Sequence, residues 1–266
     1  MSMPKTVGEV INELTKTTEP VDNTVDKLLF GDSNQKVAKI AVCFMPTYKV
    51  IKQAHESGVN LLICHEGIFY SHGDKMISEE STVYLEKKKY IEESNIAIFR
   101  NHDAIHRSIP DGIMQGMTHI LEWDDFVVEN KVTASIFHLP VMSLATVVDH
   151  IKHTLHINQV RYIGKDLSMK VSKVAILVGY RGGGATAIPT LVEENADLVI
   201  YGEGPEWETP EYIRDAIEMG KNKAAIILGH LESEEPGMLY LAKTMQQLFP
   251  NIPVTYISTK NCIQTR

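Results

Sequence analysis

Short, continuous apolar runs alternate with longer amphipathic stretches in the first half of the chain. The runs at residues 39–45, 61–64 and 95–100 have the length and composition of buried strands. Stretches with helical spacing follow the first two runs, at residues 46–56 and, in a Lys/Glu-rich form, at residues 79–94. Because such a strand–helix alternation typically forms a parallel or mixed sheet covered by helices, we predict an α/β fold.

A second, similar pattern begins after residue 129. It predicts strands at residues 132–139, 159–164, 174–179, 197–204, 224–230 and 254–258, with helices at residues 141–155, from 186, after 210 and from 233 to 249. We therefore predict two similar α/β lobes, each a mixed sheet covered by helices, with domains at residues 1–130 and 131–266. A short stretch that ends near Gly31 is interpreted as helical.

Composition and charge argue against several classes of function. The chain has 266 residues, 34 acidic against 26 basic, a net charge of −8 and no block of Lys or Arg, which argues against nucleic acid or an anionic membrane as a partner. No apolar run approaches the roughly 20 residues of a membrane span, and the first 16 residues lack the apolar core of a signal peptide. The three cysteines are too few and too scattered for a disulfide framework or a CxxC zinc site, so we expect a cytoplasmic protein.

Side chains of the types that bind metal ions stand at the ends of two predicted strands in the first half. His65 and Glu66 follow one buried run, and His102 and Asp103 follow the next. In an open α/β sheet, ligands bind just beyond the carboxyl ends of the strands. A single His at a strand end is more often a hydrogen-bonded structural residue, so neither pair is specific alone.

The second half contributes a third pair, His230 and Glu234. His230 ends a predicted strand, and the His-x3-Glu spacing allows both side chains to face one cation across the strand-to-helix turn. Glu234 alone would be explained by its favourable place in the first turn of a helix. All the strand ends together favour a metal site assembled from both halves of the chain.

This ligand set mixes imidazole and carboxylate groups without thiolate, which suits Zn, Mn, Fe, Co or Ni better than copper(I) or calcium. Five or six such ligands can hold two divalent ions about 3.5–4 Å apart with a shared carboxylate, and Asp103 is the natural bridge. A water bound there has a lowered pKa and supplies hydroxide near neutral pH. Glu66 or His106 is available to transfer a proton.

A glycine-rich loop at residues 181–184 follows a predicted strand and precedes a helix. Its backbone N–H groups could bind a phosphate, but the sequence matches neither of the common phosphate-binding motifs. A tight turn is therefore the more common explanation of such a loop.

Three motifs together resemble the Nif-three-like family (NGG-one interacting factor three), whose bacterial members often carry the label GTP cyclohydrolase 1 type 2 homologue. Residues 39–70 are similar to the strand–helix–strand segment that leads into the family's His-His-Pro motif. Residues 96–106 resemble the segment that carries a metal-binding Asp, and residues 227–238 resemble a Gly-His-x3-Glu segment. The motifs occur in the family's order over most of the chain.

The resemblance implies a ligand set, an architecture and an assembly. The family's metal-binding Asp falls on Asp103, and two further ligands fall on His230 and Glu234. The implied protomer has two α/β lobes with a dinuclear metal site between them. Six such protomers are expected to form a hollow hexamer.

The sequence departs from the family at one metal position. Glu66 stands where the family has its second His, and Gly67 replaces the Pro. A carboxylate still binds metal there but changes the charge and softness of the position. His102 is the residue that would supply the missing imidazole.

From this ligand set we expect a dinuclear, metal-dependent hydrolase of a small phosphorylated or nucleotide-like compound. A non-catalytic metal-binding scaffold or metal chaperone is the alternative, because the sequence contains no dedicated substrate motif and no nucleophile triad. GTP cyclohydrolase activity is the third hypothesis; it rests on the family label alone and predicts guanine recognition.

Overall fold

The structure is a computed structural model that describes residues 4–19, 21–74, 78 and 80–264. The chain divides into two compact units. Unit 1 comprises Met1–Ser108 and Met238–Arg266, and unit 2 comprises Ile109–Gly237. Each unit has a sheet of its own.

Helices and strands alternate through most of the described residues. The helices are α1 (Val7–Thr15), α2 (Tyr48–Glu56), α3 (Thr82–Ser94), α4 (Asp103–Arg107), α5 (Gly112–Ile120), α6 (Leu144–Leu155), α7 (Gly184–Glu193), α8 (Thr209–Glu218) and α9 (His230–Leu248). The strands are β1 (Lys27–Phe30), β2 (Ile40–Cys43), β3 (Leu61–Cys64), β4 (Ala97–Arg100), β5 (Val127–Asn130), β6 (Ser135–Ser143), β7 (Arg161–Ile163), β8 (Lys170–Leu177), β9 (Leu198–Tyr201), β10 (Ala224–Ile227) and β11 (Val254–Tyr256). Side-chain oxygens of Thr47 and Ser81 accept the amide hydrogens of Val50 and Tyr84, which explains where α2 and α3 begin.

Unit 1 is built on a five-stranded mixed sheet in the order β1-β4-β3-β2-β11. Strands β4, β3, β2 and β11 run parallel to one another, and the edge strand β1 is antiparallel to β4. All residues of β2, β3 and β4 are buried, as expected for parallel strands covered on both faces. Their last residues are in register, Cys43 with Cys64 and Cys64 with Arg100, so the residues that follow them lie side by side.

Unit 2 is built on a six-stranded mixed sheet in the order β5-β6-β8-β9-β10-β7. Strands β8, β9 and β10 are parallel, whereas β5, β6 and β7 pair antiparallel with their neighbours. Leu177, Tyr201 and Ile227 are in register near the carboxyl ends of the parallel strands. The loops that follow these three residues therefore meet at one edge of the sheet.

The predicted α/β fold with two helix-covered mixed sheets is confirmed. The helix predicted before Gly31 is wrong, because Lys27–Phe30 form β1 and pair with β4. The charged helix predicted at residues 79–94 is α3, which begins at Thr82; residue 79 itself lies outside the described residues.

The predicted domains, an N-terminal α/β lobe at residues 1–130 and a C-terminal α/β lobe at residues 131–266, stay a prediction. The compact units have other limits, because residues 109–130 belong to unit 2 and β11 pairs with β2 in unit 1. The predicted boundary rests on the point where the strand–helix pattern begins again. That pattern does not show that the end of the chain packs in unit 1.

Among the residues that the structure describes, none of the helices is both long enough and apolar enough to cross a membrane. The cytoplasmic location and the exclusion of nucleic acid as a partner stay predictions from composition.

Candidate metal centre

The first candidate site lies at the carboxyl ends of β3 and β4 in unit 1. Because Cys64 pairs with Arg100 in the sheet, the residues that follow the two strands are neighbours. The backbone N–H groups of His65 and Glu66 both donate to the carbonyl oxygen of Phe44, at 3.0 Å each, and fix the turn after β3. His65 is fully buried at this turn.

One hydrogen bond fixes the tautomer of His65. Its Nδ1 lies 3.1 Å from the backbone carbonyl oxygen of Asn101, the residue after β4. A carbonyl oxygen only accepts hydrogen bonds, so Nδ1 carries the proton and Nε2 of the neutral ring keeps its lone pair. Metal-binding histidines are typically oriented by such a bond to the other ring nitrogen.

Three imidazole rings of unit 1, those of His65, His102 and His106, form a group that we call the His cluster. The ring centroids are 4.6 Å apart for His65 and His102, 5.0 Å for His65 and His106, and 5.1 Å for His102 and His106. One ring nitrogen from each residue lies within 4.8 Å of the other two. Three imidazoles at this spacing match the ligand set of metal sites that keep a further coordination position open.

His102 is held in the neutral form that binds metal. Burial, followed by the neighbouring rings of His65 and His106, lowers the pKa of His102 to about 4. Its Nδ1 lies 2.9 Å from Oδ1 of Asp103, and a carboxylate oxygen accepts the Nδ1 proton in that arrangement. The lone pair of this ring is therefore also on Nε2.

Asp103 orients the ring of His102. Its carboxylate does not belong to the group of three ring nitrogens that could hold a metal ion. Its second oxygen, Oδ2, accepts hydrogen bonds from Oγ1 of Thr24 at 2.8 Å and from the backbone N–H of Val25 at 3.0 Å. Burial opposes the ionisation of Asp103, but these bonds and the bond from His102 outweigh it and lower the pKa of Asp103 to about 2. The predicted role of Asp103 as a bridging ligand stays a prediction, which this geometry does not favour.

Asp26 fixes the backbone from which two rings of the His cluster project. Its Oδ1 accepts hydrogen bonds from the N–H groups of His102 at 2.6 Å and Asp103 at 2.8 Å, and its Oδ2 accepts from Ala104 at 2.6 Å. These are N–H groups at the start of α4, which have no partner within the helix. The side chain of Asp26 thus holds the first turn of the helix that carries His106.

Glu66 lies at the edge of the His cluster. Its Oε1 is 3.9 Å from Nε2 of His102, and one of its carboxylate oxygens lies within 4.8 Å of a ring nitrogen of His65. The Glu66 side chain is 13% exposed, so it contacts both protein and solvent. This position is compatible with either predicted role, metal ligand or proton-transfer group.

The second candidate site lies at the carboxyl ends of β9 and β10 in unit 2. Nδ1 of His230 is 2.8 Å from Oε1 of Glu203, and Nε2 of His230 is 3.1 Å from Oε2 of Glu234. Gly179 makes room for this pair, because a Cβ atom at that position would overlap with the carboxylate of Glu234. The carboxylate–imidazole–carboxylate arrangement has the form of an oriented metal-binding histidine.

Comparison with known proteins identifies the family. The family model for Duf34/NIF3 (NGG1p interacting factor 3) matches residues 5–262, which is nearly the whole chain. The chain belongs to the Duf34/NIF3 family. The resemblance based on the three sequence motifs is thereby confirmed.

Relatives of this Duf34/NIF3 chain carry the name GTP cyclohydrolase 1 type 2 homolog. The protein from Clostridium perfringens is 23% identical over 228 residues, which cover 83% of this chain and 82% of that protein. The protein from Borreliella burgdorferi is 26% identical over 232 residues, which cover 84% of each.

Solved structures share the fold of this Duf34/NIF3 chain. Staphylococcus aureus hypothetical protein SA1388 matches with a TM-score of 0.78 and 17% identity, over 99% of each chain. Reduced HcgD from Methanocaldococcus jannaschii matches with a TM-score of 0.74 and 15% identity, over 96% of this chain and 99% of that one. At such identities the matches establish the shared fold alone.

The glycine-rich loop of this Duf34/NIF3 chain uses its backbone N–H groups internally. The N–H of Gly184, at the start of α7, donates to Oε2 of Glu208 at 2.6 Å, and the N–H of Gly182 donates to the carbonyl oxygen of Glu203 at 3.0 Å. A carboxylate of the chain itself thus contacts the helix N-terminus that a phosphate would need. The geometry agrees with the tight turn that was the more common explanation.

Within each unit of this Duf34/NIF3 protein the structure brings predicted site residues together. In unit 1 these are the His cluster and Glu66, and in unit 2 they are His230 and Glu234. The sequence predicts a proton-transfer role for His106, whereas the structure places its ring in the His cluster. Nothing in the local sequence marks Asp26 as the residue that holds the start of α4, because its partners lie far along the chain.

Proposed function

We propose that the His cluster binds a divalent metal ion and that this protein is a metal-dependent hydrolase of a small phosphorylated or nucleotide-like compound. The observation that carries the proposal is that hydrogen bonds place the lone pairs of His65 and His102 on Nε2 in both rings. The arrangement is typical of rings that bind a metal.

The donor set fits first-row divalent ions. Imidazole nitrogens with a nearby carboxylate suit Zn, Mn, Fe, Co or Ni. An ion in this site would lower the pKa of a water molecule that it binds, which supplies a nucleophile near neutral pH. His65, His102 and His106 would hold the ion by their ring nitrogens.

The roles of the other residues follow from their contacts. Glu66, with Oε1 3.9 Å from Nε2 of His102, would accept a proton or add a ligand. His230 and Glu234 are proposed as ligands of the second ion that the sequence predicts, because Glu203 orients the His230 ring. The dinuclear centre that the sequence predicts requires two ions for each chain, and the number of bound ions tests that requirement.

Metal-dependent turnover tests the proposed reaction. The metal-free protein is reconstituted with Mn, Zn or Fe and screened against phosphoesters, nucleotides including GTP, and cyclic amides. We expect turnover with at least one metal. The turnover rate should fall by more than about 10-fold in His106→Ala and should be unchanged in the exposed control His153→Ala. A folded, metal-loaded protein that converts none of these compounds would contradict the hydrolase proposal.

The same screen decides between the other hypotheses. Metal binding without turnover of any compound would favour the non-catalytic scaffold or chaperone. The name of the relatives makes GTP the first nucleotide to test, and absence of GTP binding would remove the cyclohydrolase hypothesis.

We also propose that the protein is a homo-oligomer, with six copies as the expected number. This proposal rests on the family resemblance alone. Sedimentation velocity of the intact chain gives the mass of the assembly, and a monomer at micromolar concentration would contradict it.

A further inference from the structure

Glu66, at the edge of the His cluster, has an unusual neighbour, a fully buried arginine. Arg100 is the last residue of β4 and its side chain is 0% exposed. A guanidinium is always charged and is costly to bury without partners. The partners of the Arg100 guanidinium therefore indicate the role of this buried charge.

The Arg100 guanidinium contacts the segment that carries the metal-binding turn. Nε donates to the carbonyl oxygen of His65 at 3.1 Å, and Nη1 donates to the carbonyl oxygen of His72. Nη1 also donates to Oδ2 of Asp74 at 3.2 Å, and Nη2 donates to Oε2 of Glu66 at 3.3 Å. The guanidinium group therefore contacts the backbone of the segment at residues 65–74 near both of its ends. It also contacts the two carboxylates of that segment, those of Glu66 and Asp74.

The two oxygens of Glu66 are consequently not equivalent. Oε2 accepts hydrogen bonds from Arg100 and, at 3.3 Å, from the N–H of Gly67. Oε1 faces the His cluster at 3.9 Å from Nε2 of His102. A carboxylate held by one oxygen presents the other as a single donor in a fixed direction.

We propose that Arg100 is a positioning residue that holds Glu66 as a one-oxygen metal ligand beside the His cluster. The inference rests on the proposed metal site and extends it by a fourth ligand. The positive charge of Arg100 also offsets part of the negative charge that Glu66 brings to the site. The ion would thereby keep its ability to polarise water.

Cobalt binding to the intact protein tests the proposal without an activity assay. Co²⁺ affinity and the visible absorption of the Co²⁺ form are measured for the parent, for Glu66→Gln and for Arg100→Lys. Lys keeps the charge of Arg but not its planar set of donors. We expect both variants to lose about 10- to 100-fold in affinity and to change the Co²⁺ spectrum.

The double variant separates positioning from general stability. If Arg100 acts through Glu66, then Arg100→Lys changes Co²⁺ affinity little once Glu66→Gln is present. The exposed control Arg161→Lys should match the parent throughout. A purely structural role predicts a lower melting temperature with unchanged Co²⁺ affinity and spectrum, and that result would overturn the proposal.

A shorter carboxylate provides the test if Arg100→Lys does not fold. Glu66→Asp removes one methylene, so the carboxylate does not reach Arg100 and the His cluster together. We expect a weakened Co²⁺ site and an altered spectrum; a site identical to the parent's would overturn the inference. A parent protein that binds no Co²⁺ contradicts the metal proposal itself, whereas unchanged variants of a Co²⁺-binding parent contradict only the role of Arg100.

Discussion

A buried lysine makes the stability of unit 1 depend on pH. The side chain of Lys87 is 2% exposed, and its Nζ donates to the carbonyl oxygen of Ile68 at 2.6 Å. Burial lowers the pKa of Lys87 to about 8, from 10.5. Between these two values the unfolded chain binds a proton that the folded chain does not, so stability rises with pH in that range.

We predict that the parent gains stability relative to Lys87→Met as the pH rises from about 8 to 10.5. The gain in the free energy of unfolding should approach about 3 kcal/mol, as measured by urea denaturation across this range. Lys89→Met, at a side chain that is 74% exposed, is the control and should show no such trend. A flat difference between parent and Lys87→Met would show that Lys87 titrates normally.

Gly179 shows how one residue without a side chain shapes a site. Its φ of +65° favours glycine, and a Cβ atom there would overlap with the carboxylate of Glu234. Gly220 has a similar φ of +75°, but a Cβ atom at that position would have no neighbouring atom within 4 Å. An alanine at Gly220 would therefore meet backbone strain alone, whereas an alanine at Gly179 would meet both strain and steric overlap.

We predict that Gly220→Ala costs about 1–2 kcal/mol of unfolding free energy through strain alone. Gly179→Ala should cost more, because it also displaces Glu234 from Nε2 of His230. Urea denaturation of both variants measures the difference. Equal costs would mean that the loop moves aside without disturbing the pair.

At the scale of elements, the start of α4 determines the geometry of the His cluster. The carboxylate of Asp26 accepts hydrogen bonds from three backbone N–H groups at this helix end. These bonds fix the backbone from which the rings of His102 and His106 project. A five-residue helix has little stability of its own, so its orientation depends on such contacts.

We predict that Asp26→Ala lowers the free energy of unfolding by about 0.5–2 kcal/mol and also weakens metal binding. The control Ser143→Ala removes the side-chain cap of α6, which accepts from the N–H of Thr146 at 3.1 Å. It should cost similar stability with no effect on metal affinity. If both variants bind metal equally well, Asp26 is a stability residue only.

Elements with a continuous apolar pattern were predictable, whereas short edge strands were not. Strands β2, β3 and β4 are buried on both faces, and their sequences show it directly. The four residues of β1 are too few to show a period and its pairing with β4 is not encoded locally, so the sequence predicts a helix where the structure has a strand. For the same reason the sequence predicts no strand at β5.

At the scale of the whole molecule, the sequence predicted the fold class and the family but only part of the candidate site. Ligand types at strand ends pointed to His65 and His102, because parallel strands gather their carboxyl ends at one edge. The sequence does not distinguish the proposed ligands from the residues that orient them. Only the folded chain shows that His106 lies against the ring of His65, whereas Asp103 bonds to Thr24 and to His102.

Metal content tests most directly whether the His cluster holds a metal ion. The ions bound to each chain are counted by mass spectrometry after reconstitution, for the parent and for His65→Ala, His106→Ala and His153→Ala. We predict that the parent and the exposed control His153→Ala bind the same number of ions, whereas both cluster variants, with unchanged circular dichroism, bind at least one ion fewer for each chain. A parent that binds no metal, or cluster variants that bind as much as the parent, would contradict a metal site at the His cluster.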